Sequence, residues 1–248
     1  SLNWVSQATR PDITTITSIL AKYQHSPSPG HIGAARHVLR YLNGTKDLGI
    51  VFDSAEYFNI QSFVNFPVEG RIGLSASADA NWGPQDQSIP TSTQPDLDLF
   101  KSRSISGHLL SLHGPLHWSS KRQSVTARSS AEAEIYATDK CVKDIQFVCN
   151  IIKDLQLQQD LLQQPVNVLN DNMACVLWSK SRTTKNLRHI QIKENAIRES
   201  IHNNTVRISH VAGGDNLADI FTKEDKDVHH FLKLRNIIMS PPFSLAKL

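Results

Sequence analysis

Apolar residues recur at three- and four-residue spacing in the first part of the chain, which predicts amphipathic helices. Ile13, Ile16, Ile19 and Leu20 form one stripe behind Pro11, a residue suited to a first helical turn. Ser26, Pro27, Ser28, Pro29 and Gly30 break it, and Ile32, Ala35, Val38, Leu39 and Leu42 form a second stripe that Gly44 ends. The period then changes. Residues 48–52 read as a strand, 54–70 keep no clean period and read as a loop or connection, and Ile72, Leu74, Ala76 and Ala78 alternate strictly up to Asp79. Residues 83–99, rich in Pro, Gln, Ser, Thr and Asp, read as a loop.

Short strand-like runs at 104–112, 116–119 and 124–127, parted by turn signals such as Gly114-Pro115, predict an antiparallel meander. A long helix over 130–155 follows, then an apolar strand at 166–169, a helix from Asp171 through Trp178, another ending near His202, and a last strand over 205–211. Gly213 and Gly214 turn that strand into a short helix holding Leu217, Ile220 and Phe221, and a final helix carries Phe231, Leu232 and Leu234. This order predicts an α/β fold: a mixed sheet with helices over its faces, preceded by a small helical unit. No internal repeat is visible.

Composition narrows the class only slightly. The 248 residues are 40% hydrophobic and 20% charged, ordinary for a globular chain, and the formal net charge of +3 permits a polyanionic partner without requiring one. Cys141, Cys149 and Cys175 form no CxxC pair, so neither a disulfide framework nor a cysteine zinc site is expected, and a reducing compartment is. No apolar run approaches the ~20 residues that span a bilayer, so no membrane partner is expected. The chain starts without Met and within a patterned stretch, and reads as a piece of a longer polypeptide.

The candidate chemistry lies in acids placed where the chain changes element. Asp79 ends a strand, Glu132 or Glu134 opens the long helix, Asp171 joins a strand to a helix, and Asp219 lies in the short C-terminal helix. Clustered carboxylates repel and are costly to bury, so such a set implies bound cations. Hard oxygen ligands suit Mg²⁺ or Mn²⁺; two Mg²⁺ ions roughly 3.5 to 4 Å apart would serve phosphodiester cleavage. The helix distinguishes the two glutamates. Ser129 and Glu132 have capping-box spacing, and Glu132 shares a mostly solvated face with Tyr136, Asp139, Lys140 and Lys143. Glu134 shares the inward stripe of Cys141, Ile145, Val148 and Ile152, where a ligand would point.

Five ordered segments carry a resemblance. They are Thr9 to Ile13; Arg36 to Leu42 with Asn43 to Gly49; Asp79-Ala80-Asn81-Trp82; Trp118 to Gln123 through Ser129 to Glu134; and Leu217-Ala218-Asp219-Ile220-Phe221-Thr222-Lys223. Asp171-Asn172 and the stretch 181–198 fit as well. Together they resemble the reverse transcriptase connection and ribonuclease H region of copia-type LTR retrotransposon polyproteins.

That resemblance implies a ribonuclease H-like mixed five-stranded sheet flanked by helices, and hydrolysis of the RNA strand of RNA/DNA hybrids. It makes Asp79, Glu134, Asp171 and Asp219 the metal-binding catalytic carboxylates, served by two Mg²⁺ with Mn²⁺ as a substitute. Residues 1–53 become the helical tail of the polymerase, 54–225 the ribonuclease H domain, and 226–248 a C-terminal helix and tail. The implied partners are the hybrid and the rest of the polyprotein, in the cytoplasm and within virus-like particles of the parent element. Three departures stand out. Asn81 replaces a second Asp, Arg188 and Gln191 flank His189 where the family has Lys and Asp, and the insert after Trp82 is long.

Residues 179–198 hold six basic residues, Lys180, Arg182, Lys185, Arg188, Lys193 and Arg198, against the single acid Glu194. Such a run reads as a solvated surface by default, but its place after Asp171 makes Lys185, Arg188, His189 and Lys193 candidate phosphate contacts. Lys121 and Arg122, in a turn before the long helix, are second candidates. Trp82 and Trp118 read as packing residues, and His210, nine residues before Asp219, is a weaker candidate for a catalytic histidine. A different class competes with the nuclease: a catalytically silent ribonuclease H-fold module, from a domesticated or decaying element, that binds nucleic acid or protein. A DNA-cutting, integrase-like nuclease is disfavoured by its different order of acids.

Overall fold

The computed structural model describes residues 2–52, 73–83, 103–162, 164–180, 191–223 and 227–239. In chain order these form α1 (Leu2–Ala8), a 3₁₀ turn (Pro11–Ile13), α2 (Thr14–Ala21), α3 (Pro29–Gly44), β1 (Ser75–Asn81), β2 (Ile105–Ser111) and β3 (Pro115–Arg122). There follow α4 (Ser130–Asp154), α5 (Gln158–Leu161), β4 (Val166–Asn170), α6 (Met173–Lys180), α7 (Gln191–His202) and β5 (Val206–His210). Two 3₁₀ turns, Gly213–Asp215 and Leu217–Phe221, lead to α8 (Val228–Ile238). The strands make one sheet in the order β3-β2-β1-β4-β5. β1, β2 and β3 pair antiparallel, while β4 runs parallel to β1 and β5 parallel to β4. This is the mixed five-stranded sheet flanked by helices expected of the ribonuclease H-like class.

Small residues on β1 let other elements close on both of its faces. On one face, Ala76 and Ala78 are fully buried against the α4 stripe of Cys141, Val142 and Ile145, with Leu110, Val168 and Ile208 completing the core. Each large apolar side chain buried there is worth roughly 1.5–3 kcal/mol. On the other face, Leu109, Trp118, Leu169, Phe221 and Leu234 form a second core beneath the Leu217–Phe221 turn and α8. That turn lies hard on the sheet because residue 107 is glycine. A Cβ there would stand 2.6 Å from Thr222 Cγ2 and 2.7 Å from Phe221 Cβ.

The N-terminal helices dock on this second side. Trp118 donates its indole N–H to the Ser6 carbonyl (2.7 Å), and the Thr15 hydroxyl donates to the Ile220 carbonyl (2.6 Å). α3 opens with a capping box between Ser28 and His31, yet only part of its apolar stripe is covered. Val38 is buried, whereas Ile32 and Leu39 are exposed.

Several expectations need correction. Residues 48–52 form no strand; Gly49 is a lone bridge residue, and the Val51 carbonyl lies beside Gly114. Residues 124–127 form no strand either, because β3 ends at Arg122 and Ala127 instead packs with Ala133 and Tyr136. α1 was not legible as a helix in the apolar pattern. Residues 54–70, residues 84–99 and both proposed domain junctions, at 53/54 and 225/226, lie outside the described residues.

Candidate metal centre

The site forms where the C-terminal end of β1 meets the end of β4. Along β1, Ala78 and Ala80 face α4, so alternation sends Asp79 to the opposite face, toward the Leu217–Phe221 turn. Asp171 follows β4 directly. Asn172 caps α6, its side chain accepting from the Cys175 N–H (3.1 Å), which leaves the Asp171 carboxylate to the cluster. Asp219 lies in a turn that Asn216 caps by accepting from the Ala218 N–H (3.1 Å). Two amides brace the arrangement: Asn170 and Asn216 both donate to the Ala78 carbonyl, at 3.3 and 3.1 Å.

Asp79, Asp171 and Asp219 each present a carboxylate oxygen, and these oxygens all lie within 4.8 Å of one another. At an effective dielectric of ~20, each charged pair at that separation repels by about 3 kcal/mol. The titration behaviour reflects it. Burial, then the Asp219 charge, pushes Asp79 up to about 7, against the lowering pull of Lys223 and the Thr222 hydroxyl. Burial also raises Asp219, although Lys223 opposes this. Glu134 stands behind the trio on the α4 side, accepting from the Ala80 N–H (3.2 Å) and the Asn170 amide (2.9 Å). Burial and the neighbouring Asp79 raise it to about 9. The inward placement read from the helical stripe is thus observed for Glu134.

Two observations fit a cation. Asp219 is buried, and its Oδ1 has no hydrogen-bond partner, an acceptor that only a cation or a donor from outside could satisfy. Gly213 faces Asp171, where a Cβ would come within 3.2 Å of Oδ2, so glycine keeps that oxygen approachable. The all-oxygen donor set suits a hard ion such as Mg²⁺ or Mn²⁺.

Several contributors were missed by the sequence reading. Lys223 Nζ donates to Asp219 Oδ2 at 2.6 Å and balances part of the cluster's charge. The Thr222 hydroxyl donates to Asp79 Oδ2. His230, in the first turn of α8, lies 3.4 Å from Asp219 Oδ2, whereas His210 pairs in register with Asn170 at the end of β5. Thr222 and Lys223 fall inside the quoted Leu217–Lys223 motif, whose tail could have signalled them; nothing local marks His230 or Gly107. Asn81, noted as a departure, donates its amide to the Thr222 carbonyl (3.1 Å), a bond that an ionised aspartate could not make.

Glu132 needs a correction. Ser129 caps the helix, its hydroxyl accepting from the Glu132 N–H (3.2 Å), while the Glu132 carboxylate accepts from the Arg128 N–H (2.7 Å) and the Tyr136 hydroxyl (3.2 Å) in place of the reciprocal capping-box bond to Ser129. The face expected to be solvated is largely covered: Glu132, Tyr136 and Asp139 are buried, and only Lys140 and Lys143 are exposed. The cause is α7, whose Lys193 lies 4.1 Å over the Tyr136 ring and 3.9 Å from Asp139.

Among the candidate phosphate contacts, Lys185, Arg188 and His189 lie outside the described residues. Lys193 is engaged as just described. Lys121 and Arg122 end strand β3 and are not in a turn; Lys121 is exposed and Arg122 half-buried. Lys121 follows Ser120, which stands in one row across the sheet with Gly107 and Asp79, two strands or about 10 Å from the cluster. Trp118 is buried packing, while Trp82 is half exposed and tied through its indole N–H to the Ala127 carbonyl (3.0 Å). All three cysteines are free and buried. Among the described residues no helix is long and apolar enough to cross a membrane.

No protein-family model matches the chain. It is 30% identical over 239 residues to the retrovirus-related Pol polyprotein from transposon RE2 of Arabidopsis thaliana, which covers 94% of this chain. It is 29% identical over 218 residues to that from transposon RE1 of the same plant, covering 87%. The chain spans 14% and 13% of the lengths of these two polyproteins. Among solved structures, LC11-RNase H1, isolated from compost, is similar with a TM-score of 0.44 and 15% identity, over 61% of this chain and 93% of that one. By sequence, then, this chain is a homologue of one segment of the retrovirus-related Pol polyproteins of plant transposons.

Proposed function

We propose that the chain is the ribonuclease H of a retrotransposon reverse transcriptase, cutting the RNA strand of RNA/DNA hybrids with divalent metal. The observation that carries this reading is the convergence of Asp79, Asp171 and Asp219 within 4.8 Å, backed by Glu134. These four residues would hold two Mg²⁺, with Mn²⁺ as a substitute. When bound, the metal supplies a lowered water pKa and charge stabilisation for the phosphodiester oxygens.

The chain's own residues prepare that chemistry in three ways. Thr222 fixes one oxygen of Asp79, and the Asn170 and Asn216 amides hold the strand end beneath it. Lys223 offsets the carboxylate charge at Asp219, so the cluster survives folding before metal enters. Raised proton affinity at Asp79 and Glu134 makes proton release accompany metal uptake.

The hybrid's phosphates would be met by the basic run that holds Lys185, Arg188, His189 and Lys193, with Lys121 and Arg122 as further contacts. Residues 1–53 would be the polymerase tail, 54–225 the nuclease and 226–248 its C-terminal appendage, acting with the rest of the polyprotein inside cytoplasmic virus-like particles. The test is a Mg²⁺ titration of cleavage on hybrid, single-stranded RNA and duplex DNA. Cleavage confined to the hybrid and lost in chelator supports the reading. Hybrid binding without cleavage at any Mg²⁺ or Mn²⁺ concentration would leave the silent binding module in its place.

A further inference from the structure

A second cluster lies away from the carboxylates, on the α4 face of the sheet. His108 on β2 pairs in register with Ser119, so His117, two residues earlier on β3, is its diagonal neighbour on the same face. Asp144 of α4 lies over both. His108 Nε2 is 2.9 Å and His117 Nε2 3.4 Å from the same oxygen, Asp144 Oδ2, and the three donor atoms lie within 4.8 Å of one another.

Hydrogen bonds leave this buried cluster incompletely satisfied. His108 is fully buried, yet neither of its ring nitrogens has a hydrogen-bond partner, and Asp144 Oδ2 has none either despite the short approach. Edges between ligands around a tetrahedral Zn²⁺, with bonds of about 2.0–2.2 Å, are roughly 3.3 Å long. The two observed distances bracket that length. The other oxygen, Asp144 Oδ1, is taken by Lys140 Nζ at 2.7 Å, so only Oδ2 is available, as a single-oxygen ligand.

We propose that His108, His117 and Asp144 form a second metal site that takes a first-row transition ion, Zn²⁺ foremost, through two imidazole nitrogens and one carboxylate oxygen. Imidazole donors separate it from the all-oxygen centre, which favours Mg²⁺.

Three protein ligands leave a coordination position open. His117 and Asp144 line a cavity of about 540 Å³, with Asn3, Ser6 and Gln7 of α1 across it. A water or a donor from a small ligand could complete the coordination there. The site therefore lies at the seam between the N-terminal helices and the sheet.

The test is calorimetric titration of the full chain with Zn²⁺ in excess Mg²⁺, for wild type, His117→Ala, Asp144→Asn and Asp79→Asn. His117 has a side chain 48% exposed, so its truncation spares the core, and circular dichroism checks the fold. Wild type should bind one Zn²⁺ per chain that Mg²⁺ does not displace. His117→Ala should weaken it by ~100-fold or more, beyond the 10–100-fold cost of losing an outer-shell partner alone. Asp144→Asn should weaken it likewise, and Asp79→Asn should leave it unchanged. Failure of wild type to bind Zn²⁺, equal binding by folded His117→Ala, or loss of binding in Asp79→Asn would each overturn the proposal without bearing on hybrid cleavage.

Discussion

Replacing Asp79 by Asn should make the metal-free protein more stable, by an amount that grows with pH. An ordinary aspartate titrates near ~3.9, whereas Asp79 in the fold titrates at about 7. Because the folded-state value is raised, the folded chain keeps a proton that the unfolded chain releases. Stability is therefore lost as pH rises from the unfolded value toward the folded one. Across that interval the loss is roughly 4 kcal/mol at ~1.4 kcal/mol per tenfold change in proton affinity. Asparagine carries no such charge, and its side-chain oxygen can still accept from Thr222. That value already includes the opposing pull of Lys223, so the gain at pH 8 should approach about 4 kcal/mol, or of order 8 to 16 °C in Tm. At pH 4 it should nearly vanish. Thermal unfolding in chelator across this range measures the gain, and a repeat with Mg²⁺ should stabilise wild type but hardly the variant. A pH-independent gain, or equal Mg²⁺ stabilisation of both proteins, would refute the reasoning.

Three further outcomes are expected. Glu134→Gln should abolish cleavage while the fold persists, whereas Glu132→Gln should keep cleavage and cost roughly 0.5–2 kcal/mol of helix-start stability, read by paired activity and denaturant-unfolding assays. Gly107→Ala should destabilise by about 1–3 kcal/mol and weaken Mg²⁺ binding, because its methyl would displace Thr222 and Phe221. Replacing Lys185, Arg188 and Lys193 together by Ala should flatten the salt dependence of hybrid binding in Ca²⁺ by roughly 0.7–0.9 log units for each phosphate left without its cation. Lys193 alone should contribute least, since its ammonium already lies over Tyr136.

Much of the fold could be read from local pattern. The α4 stripe and the alternation before Asp79 each obey one period, because each element packs one face against the sheet or across it. The four acids could be read because they recur at element boundaries inside recognisable segments. What escaped depends on contacts distant in sequence. Glu132, Tyr136 and Asp139 looked solvated by helical spacing alone, and only the packing of α7 buries them. Gly107 looked like any strand glycine until the 3₁₀ turn came down on it from far along the chain. His108 and His117 carried no spacing signal, since only strand register and Asp144 bring them together. Residues 124–127 had strand composition but leave the sheet after Arg122, where Ala127 packs with Ala133 and Tyr136, and residues 48–52 pair at one position only.

The central proposal is that the carboxylate cluster is a metal-dependent nuclease centre selective for the RNA strand of a hybrid. That is decided by labelling each strand of one RNA/DNA duplex differently and following both in Mg²⁺ with wild type and Asp171→Asn side by side. A nuclease of this kind yields fragments from the RNA strand alone with wild type and none with Asp171→Asn at equal hybrid occupancy. Cutting of the DNA strand, or undiminished RNA cutting by Asp171→Asn, would contradict it.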